Sequence, residues 1–101
     1  MRILFHSLAL EDVREIVTPL DAESLQAADG FLSELRKAGA LLASHPGMGH
    51  PAGPFRRWNL GRWPYHLLYL ERPDDGEIWI MVVRHQARHP RHGLSRRLPE
   101  P

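Results

Sequence analysis

The spacing of apolar positions changes near the middle of the chain, from a helical period to a period of two. Arg2–His6 predicts a short strand with Ile3 and Phe5 on one face. Ser7 is placed to cap a first helix, with Glu11 and Asp12 in or near its first turn, where the helix dipole favours acids. Val13, Ile16 and Val17 share a face. Pro19 is expected to end this helix at or before Thr18, because its ring clashes with the preceding turn. Asp21 is the next candidate cap. After it Leu25, Ala28, Leu32, Leu35, Gly39 and Leu42 recur three and four apart, with Phe31, Ala38 and Leu41 widening the stripe. This predicts an amphipathic helix that buries Leu25, Leu32, Leu35 and Leu42, and His45-Pro46-Gly47 stops it. Two helices joined by a few residues should form an antiparallel hairpin.

Met48–Pro54 is rich in Gly and Pro and reads as a loop. Beyond it Phe55–Leu60, Trp63–Leu70 and Glu77–His85 predict three strands. Gly61-Arg62 signals a tight hairpin. Pro73-Asp74-Asp75-Gly76 is a turn in which Pro presets φ and Gly accepts a positive one. Such short links imply an antiparallel meander. Past His85 the pattern dissolves into Arg, His and Pro, with one helical turn expected near Gly93–Leu98. The order is therefore β-α-α-β-β-β: an α+β two-layer domain with a helical hairpin packed on an antiparallel sheet. Its 101 residues suit a single domain, 1–101, with a basic C-terminal end from about residue 86.

Composition narrows the function. There is no cysteine, which excludes disulfides, thiolate metal sites and thiol nucleophiles. No segment approaches the ~20 apolar residues of a membrane span, and Met1–Leu10 predicts no secretory leader. A soluble cytoplasmic protein is expected. The net charge of +1 hides an asymmetry: residues 1–45 carry four Arg or Lys against seven acids, and residues 46–101 carry nine Arg against five. A net −3 half thus precedes a net +4 half, and the second suits an anionic partner, nucleic acid or an acidic protein face. A solvated basic tail would produce the same charge run.

Several motifs fall in order along this frame. They are Asp12-Val13-x-x-Ile16, Phe31-Leu32-x-x-Leu35, Pro46-Gly47-Met48-Gly49, Arg57-Trp58-x-Leu60-Gly61-Arg62-Trp63-Pro64-Tyr65 with Leu67-Leu68-Tyr69 after it, and Ile78–Val83 followed by His85-x-x-Arg88-x-Pro90. From about Ala9 to Arg97 the chain resembles the RelE/ParE toxin family of type II toxin–antitoxin, or plasmid stabilisation, systems. The resemblance implies a growth-inhibiting toxin, a cognate antitoxin partner and a toxin–antitoxin hetero-oligomer. RelE-like members cut mRNA on the ribosome, whereas ParE-like members poison DNA gyrase and are not nucleases. The third possibility is a non-toxic relative that only binds the antitoxin.

By that resemblance the site residues are Arg57, Arg62, Arg88, His92 and His85, with Arg56 and Arg84 on the same basic surface. The family layout would bring Arg57, Arg62 and Arg88 to one concave side of the sheet, around an anion. A nuclease also needs a group that moves a proton, and His92, His85 or His66 would serve near neutral pH. Two departures point away from the RelE-like activity. No Lys lies on a predicted strand, and Arg does not lose its proton. His92 and Gly93 stand where many relatives carry Tyr and Trp. The ParE-like reading is therefore preferred. Plainer roles exist beside these: Arg62 could tie the hairpin to an acid, and His85 could be a satisfied hydrogen-bonding residue. His66 could face solvent or the antitoxin, and Trp58, Trp63 and Trp79 could be core. His85-x-x-x-His89-x-x-His92 lacks an accompanying acid or Cys, so neither a metal nor a cofactor is expected.

Overall fold

The computed structural model describes residues 1–99, so the last two residues of the expected domain lie outside the described residues. Strand β1 (Arg2–Phe5) leads into helices α1 (Ser7–Glu23) and α2 (Leu25–Ser44). A 3₁₀ turn at Pro46–Met48 precedes β2 (His50–Ala52), β3 (Phe55–Asn59), β4 (Tyr65–Arg72) and β5 (Glu77–His85). The strands form one sheet in the order β1-β5-β4-β3-β2. The meander β3-β4-β5 is antiparallel as expected, but β1 joins β5 in parallel, so the sheet is mixed. The stretch expected to be only loop contributes the short edge strand β2, paired antiparallel to β3.

Pro19 does not end the first helix. The helix runs on to Glu23, and Thr18 Oγ1 donates to the Arg14 carbonyl (2.8 Å) in the turn that the ring disturbs. Pro19 and Glu15 are both exposed, on a side of the helix that water reaches, where a lost backbone bond costs little. The caps also shift by a residue or more. His6, not Ser7, caps α1, its Nδ1 accepting from the Leu8 N–H (3.0 Å). Ser24, not Asp21, caps α2, accepting from the Ala27 N–H, and it is the sole link between the helices.

The buried face of α2 falls within the expected stripe, shifted toward its Phe31–Ala38 side. Ala28, Phe31, Leu35, Ala38, Gly39 and Leu42 are buried, Leu32 is half-buried and Leu25 is 71% exposed. Phe31 sets that orientation, meeting Trp63 and Tyr65 edge-on at 5.9 and 5.3 Å between ring centroids. This face packs with Leu60, Leu67, Tyr69, Ile78, Ile80 and Val83 in the main core. On the opposite face Phe55, Leu68, Met81 and Val82 form a second cluster, covered by Leu94 and Leu98 of the C-terminal segment. That segment is thus a cover for the sheet, not a solvated tail. In place of the expected helical turn near Gly93–Leu98, turns run over 90–95 and the chain from Arg96 to Pro99 is irregular. Residues Ile78–Val83 lack alternation because β5 is central and covered on both faces.

Candidate functional site

The site is assembled at the C-terminal end of β5, where the sheet runs out of strands. The last rung to the β1 side is the His6 N–H donating to Ile80 O (2.9 Å). A bulge follows, in which Leu68 opposes Val82 while Tyr69 opposes Ile80, leaving Met81 as the extra residue. Side chains complete the exposed edge beyond it. Asp12 Oδ2 of α1 accepts from the Val83 N–H (3.0 Å), and Arg96 Nη1 donates to Met81 O (2.8 Å). Asp12 and Arg96 also meet in a two-bonded pair of 2.6 and 3.0 Å, their side chains 9% and 10% exposed. Asp12 therefore does not act on the helix dipole at a first turn; it welds α1, β5 and the C-terminal segment together.

Arg84 organises the other side of that edge. Its buried guanidinium donates from Nε to His66 Nε2 (2.8 Å). From Nη1 it donates to the carbonyls of Pro90 (2.9 Å) and His92 (2.6 Å), with His89 O at 3.4 Å. These bonds fix residues 89–92 over the sheet. Gly93 lets the chain lie there: its φ is +82°, and a Cβ would come within 2.5 Å of Val82. The turn that carries Arg88 is held in turn by the Ala87 N–H donating to His85 Nδ1 (2.9 Å), the Arg88 N–H to His85 O (3.0 Å) and the Gln86 N–H to Pro64 O (2.9 Å).

The result is a cavity of about 340 Å³ between α1 and the end of β5. One wall is Asp12, Glu15, Pro19 and Glu23 of α1, the other is Arg84, His85, Arg88 and His92, and Ile16, Leu20, Tyr65 and Val83 supply its apolar surface. Burial, with Arg88 adding to it, holds His92 below the usual histidine pKa, while Asp12 partly opposes the shift. Burial first, then Arg84 and Arg57, push His66 down to about 4. His66 is thus a buried neutral acceptor for Arg84. It is neither a proton donor near neutral pH nor a solvent-facing residue.

A family model described as "ParE toxin of type II toxin-antitoxin system, parDE" matches residues 3–90. The chain belongs to this family. No curated protein matches it. Membership makes the chain a type II toxin and implies a cognate antitoxin as its partner.

In this toxin, three of the five expected site residues, His85, Arg88 and His92, line one cavity. Arg57 and Arg62 do not line it. Arg57 is exposed on β3, opposite Leu68, on the face away from the helices, where its charge acts on His66 and on buried Arg84. Arg62 is exposed in the 60–64 loop and makes no ion pair among the described residues. Arg56 is committed elsewhere, donating to Gly49 O (2.9 Å) and lying 3.4 Å from the Glu71 carboxylate. His85 stacks edge-on against Tyr65, with centroids 5.3 Å apart. Trp58 and Trp63 pack on the main core and Trp79 on the second cluster.

Sequence reasoning missed Asp12, Glu15, Glu23 and Arg96, and it gave Arg84 only a place on the surface. One signal for Arg84 was available: a charge that directly closes the uninterrupted apolar run Ile78–Val83 is placed to be buried. Asp12 and Arg96 are 84 residues apart, and no local pattern joins them.

Proposed function

We propose that this toxin is a ParE-like growth inhibitor that acts by binding a protein target, DNA gyrase, and is neutralised by its antitoxin. The supporting observation is the mixed charge of the cavity. The basic residues best placed to hold a scissile phosphate, Arg88, His85 and His92, face the carboxylate-bearing Glu15 and Glu23 of α1. A phosphate entering there meets repulsion from one wall as it meets attraction from the other. Arg57 and Arg62, which would strengthen the attraction, lie outside it. Binding a protein needs no proton transfer, so no general base is required.

The antitoxin's seat in this proposal is the open edge of β1 together with the apolar groove beside it. Ile3, Phe5, Leu32, Leu35, Gly39 and Ala40 line that groove, with Arg36 also lining it. An acidic segment, partly disordered alone, would pair its backbone with β1 and set apolar side chains into the groove. Co-expression should then restore both growth and solubility.

The test is to induce wild type, Arg88→Ala and His92→Gln, scoring ribosomal mRNA cleavage against gyrase supercoiling and the DNA-damage response. His92→Gln should leave growth arrest nearly intact, and Arg88→Ala should weaken it through lost contacts. Ribosomal cleavage that vanishes with His92→Gln would instead establish the RelE-like nuclease. Cells that tolerate the chain without any partner would establish the non-toxic relative.

A further inference from the structure

We propose that the cavity between α1 and the C-terminal segment is a recognition site for a protein segment that presents an apolar side chain flanked by a basic and an acidic one. The inference rests on the toxin acting through a protein, but its test does not require the target.

Glu15, Pro19 and Glu23 recur four residues apart and so lie along one face of α1. At a rise of about 1.5 Å per residue the two glutamates are roughly 12 Å apart along the axis, an acidic wall rather than a point charge. Across from it stand Arg88, His85 and His92. Among the described residues Glu15, Glu23 and Arg88 have no ion-pair partner. Opposed charges, Glu15 and Glu23 against Arg88, are therefore left available at one concavity, with Ile16, Leu20, Tyr65 and Val83 between them. At equal distance a polyanion is repelled by the two unpaired glutamates of the first wall as strongly as Arg88 and Arg84 attract it. A protein segment carries both signs and is attracted by both. Its apolar side chain would meet the apolar surface between them.

The wall that carries Arg88 is ordered before anything binds. Arg84 ties down the carbonyls of Pro90 and His92, His85 caps the turn that bears Arg88, and the Asp12–Arg96 pair holds the segment to α1. Little conformational freedom remains to be lost there on association. The cavity is at the small end of ligand pockets, which suits a side-chain cluster and not a folded element.

The experiment is amide shift mapping on the isotope-labelled full chain, with three probes at millimolar concentration: acetyl-Arg-Leu-Glu-amide, acetyl-Leu-amide and a short RNA oligonucleotide. Only the tripeptide should move the amides of Leu20, Val83, Arg88 and His92. Arg88→Glu, and separately Glu15→Lys with Glu23→Lys, should each weaken that response by about ten-fold or more. These positions are exposed, so the variants' spectra should confirm an intact fold. The lysine variant should gain an RNA response. No tripeptide response at these amides overturns the proposal, as does an equal response to acetyl-Leu-amide, which would mark a merely apolar crevice. An RNA response in the wild type overturns it in favour of a nucleic-acid occupant. Gyrase supercoiling is scored separately. Inhibition without cavity binding removes this inference alone, whereas cavity binding without inhibition removes the target and leaves the site standing.

Discussion

Two charged side chains, Asp12 and Arg96, are taken out of water at the site and find each other and the backbone of β5. A buried pair gains little over an apolar substitute, but removing one member strands the other. Asp12→Ala should therefore cost about 3–5 kcal/mol in urea unfolding. Arg2 also pairs, with Glu77, but its side chain is 70% exposed, and Arg2→Ala should cost less than about 1 kcal/mol. Equal losses for the two variants would contradict the role given to Asp12. His66 sets a pH dependence. Its folded pKa of about 4 lies below the ordinary 6.5, so between these values the unfolded chain binds the extra proton. The contribution is complete above about pH 6.5 and is lost as pH falls toward about 4, on the order of 3 kcal/mol in all. His92, shifted in the same direction, adds to it. His66→Gln keeps an acceptor for Arg84 and should flatten most of this slope in melts from pH 7 to pH 4. An unchanged slope would remove His66 as its source.

At the level of elements, packing trims the hydrophobic pattern at the end of a helix. Leu25 and Leu35 both belong to the stripe expected of α2, yet Leu35 enters the main core while Leu25 stands at the hairpin corner, outside it. Leu35→Ala should cost about 2–5 kcal/mol, whereas Leu25→Ala should change the unfolding midpoint within error. A large loss at Leu25 would mean that the stripe turns the other way. The connection out of α2 depends on an absent side chain. Tyr69 hydroxyl donates to Pro46 O and accepts from the Gly49 N–H at 2.9 Å, and a Cβ on Gly49 would come within 2.6 Å of that oxygen. Gly49→Ala must displace Tyr69 or the turn. It should lower the melting temperature and sharpen proteolysis at 46–54, and an unaltered protease pattern would count against this contact.

For the whole molecule the sheet is a middle layer, with the hairpin on one face and Leu94 and Leu98 of the C-terminal segment across the other. Removing that segment would uncover Phe55, Leu68, Met81 and Val82 and strip Arg84 of its carbonyl partners. A chain ending at His85 should bind ANS and lose amide dispersion, as expected when specific packing fails. A well-dispersed spectrum from it would show that the segment is dispensable. The same layering changes what the basic half of the chain is for. Arg56, Arg84 and Arg96 are committed to internal partners, and Arg57, Arg62 and Arg88 remain exposed at the surface.

The sequence alone determined the order of elements apart from the edge strand β2, the β3-β4-β5 meander, the end of α2 at His45-Pro46-Gly47 and the family resemblance carried by the strands. Each of these depends on neighbours in the chain: a period, a turn residue, a motif of fixed spacing. The resemblance also named Arg57, Arg62, Arg88, His85 and His92, of which the last three, close together in the chain, line one cavity. Only the tertiary structure decided that Leu25 is left out of the core and that β1 runs parallel to β5. It likewise decided that Pro19 is tolerated, that the basic end is a packed cover, and that Glu15 and Glu23 confront Arg88. Those outcomes are set by competition among groups far apart in the chain, for burial or for an unpaired edge of β5. Asp12 and Arg96 become partners because a strand ends at Phe5 and leaves backbone groups that something must satisfy.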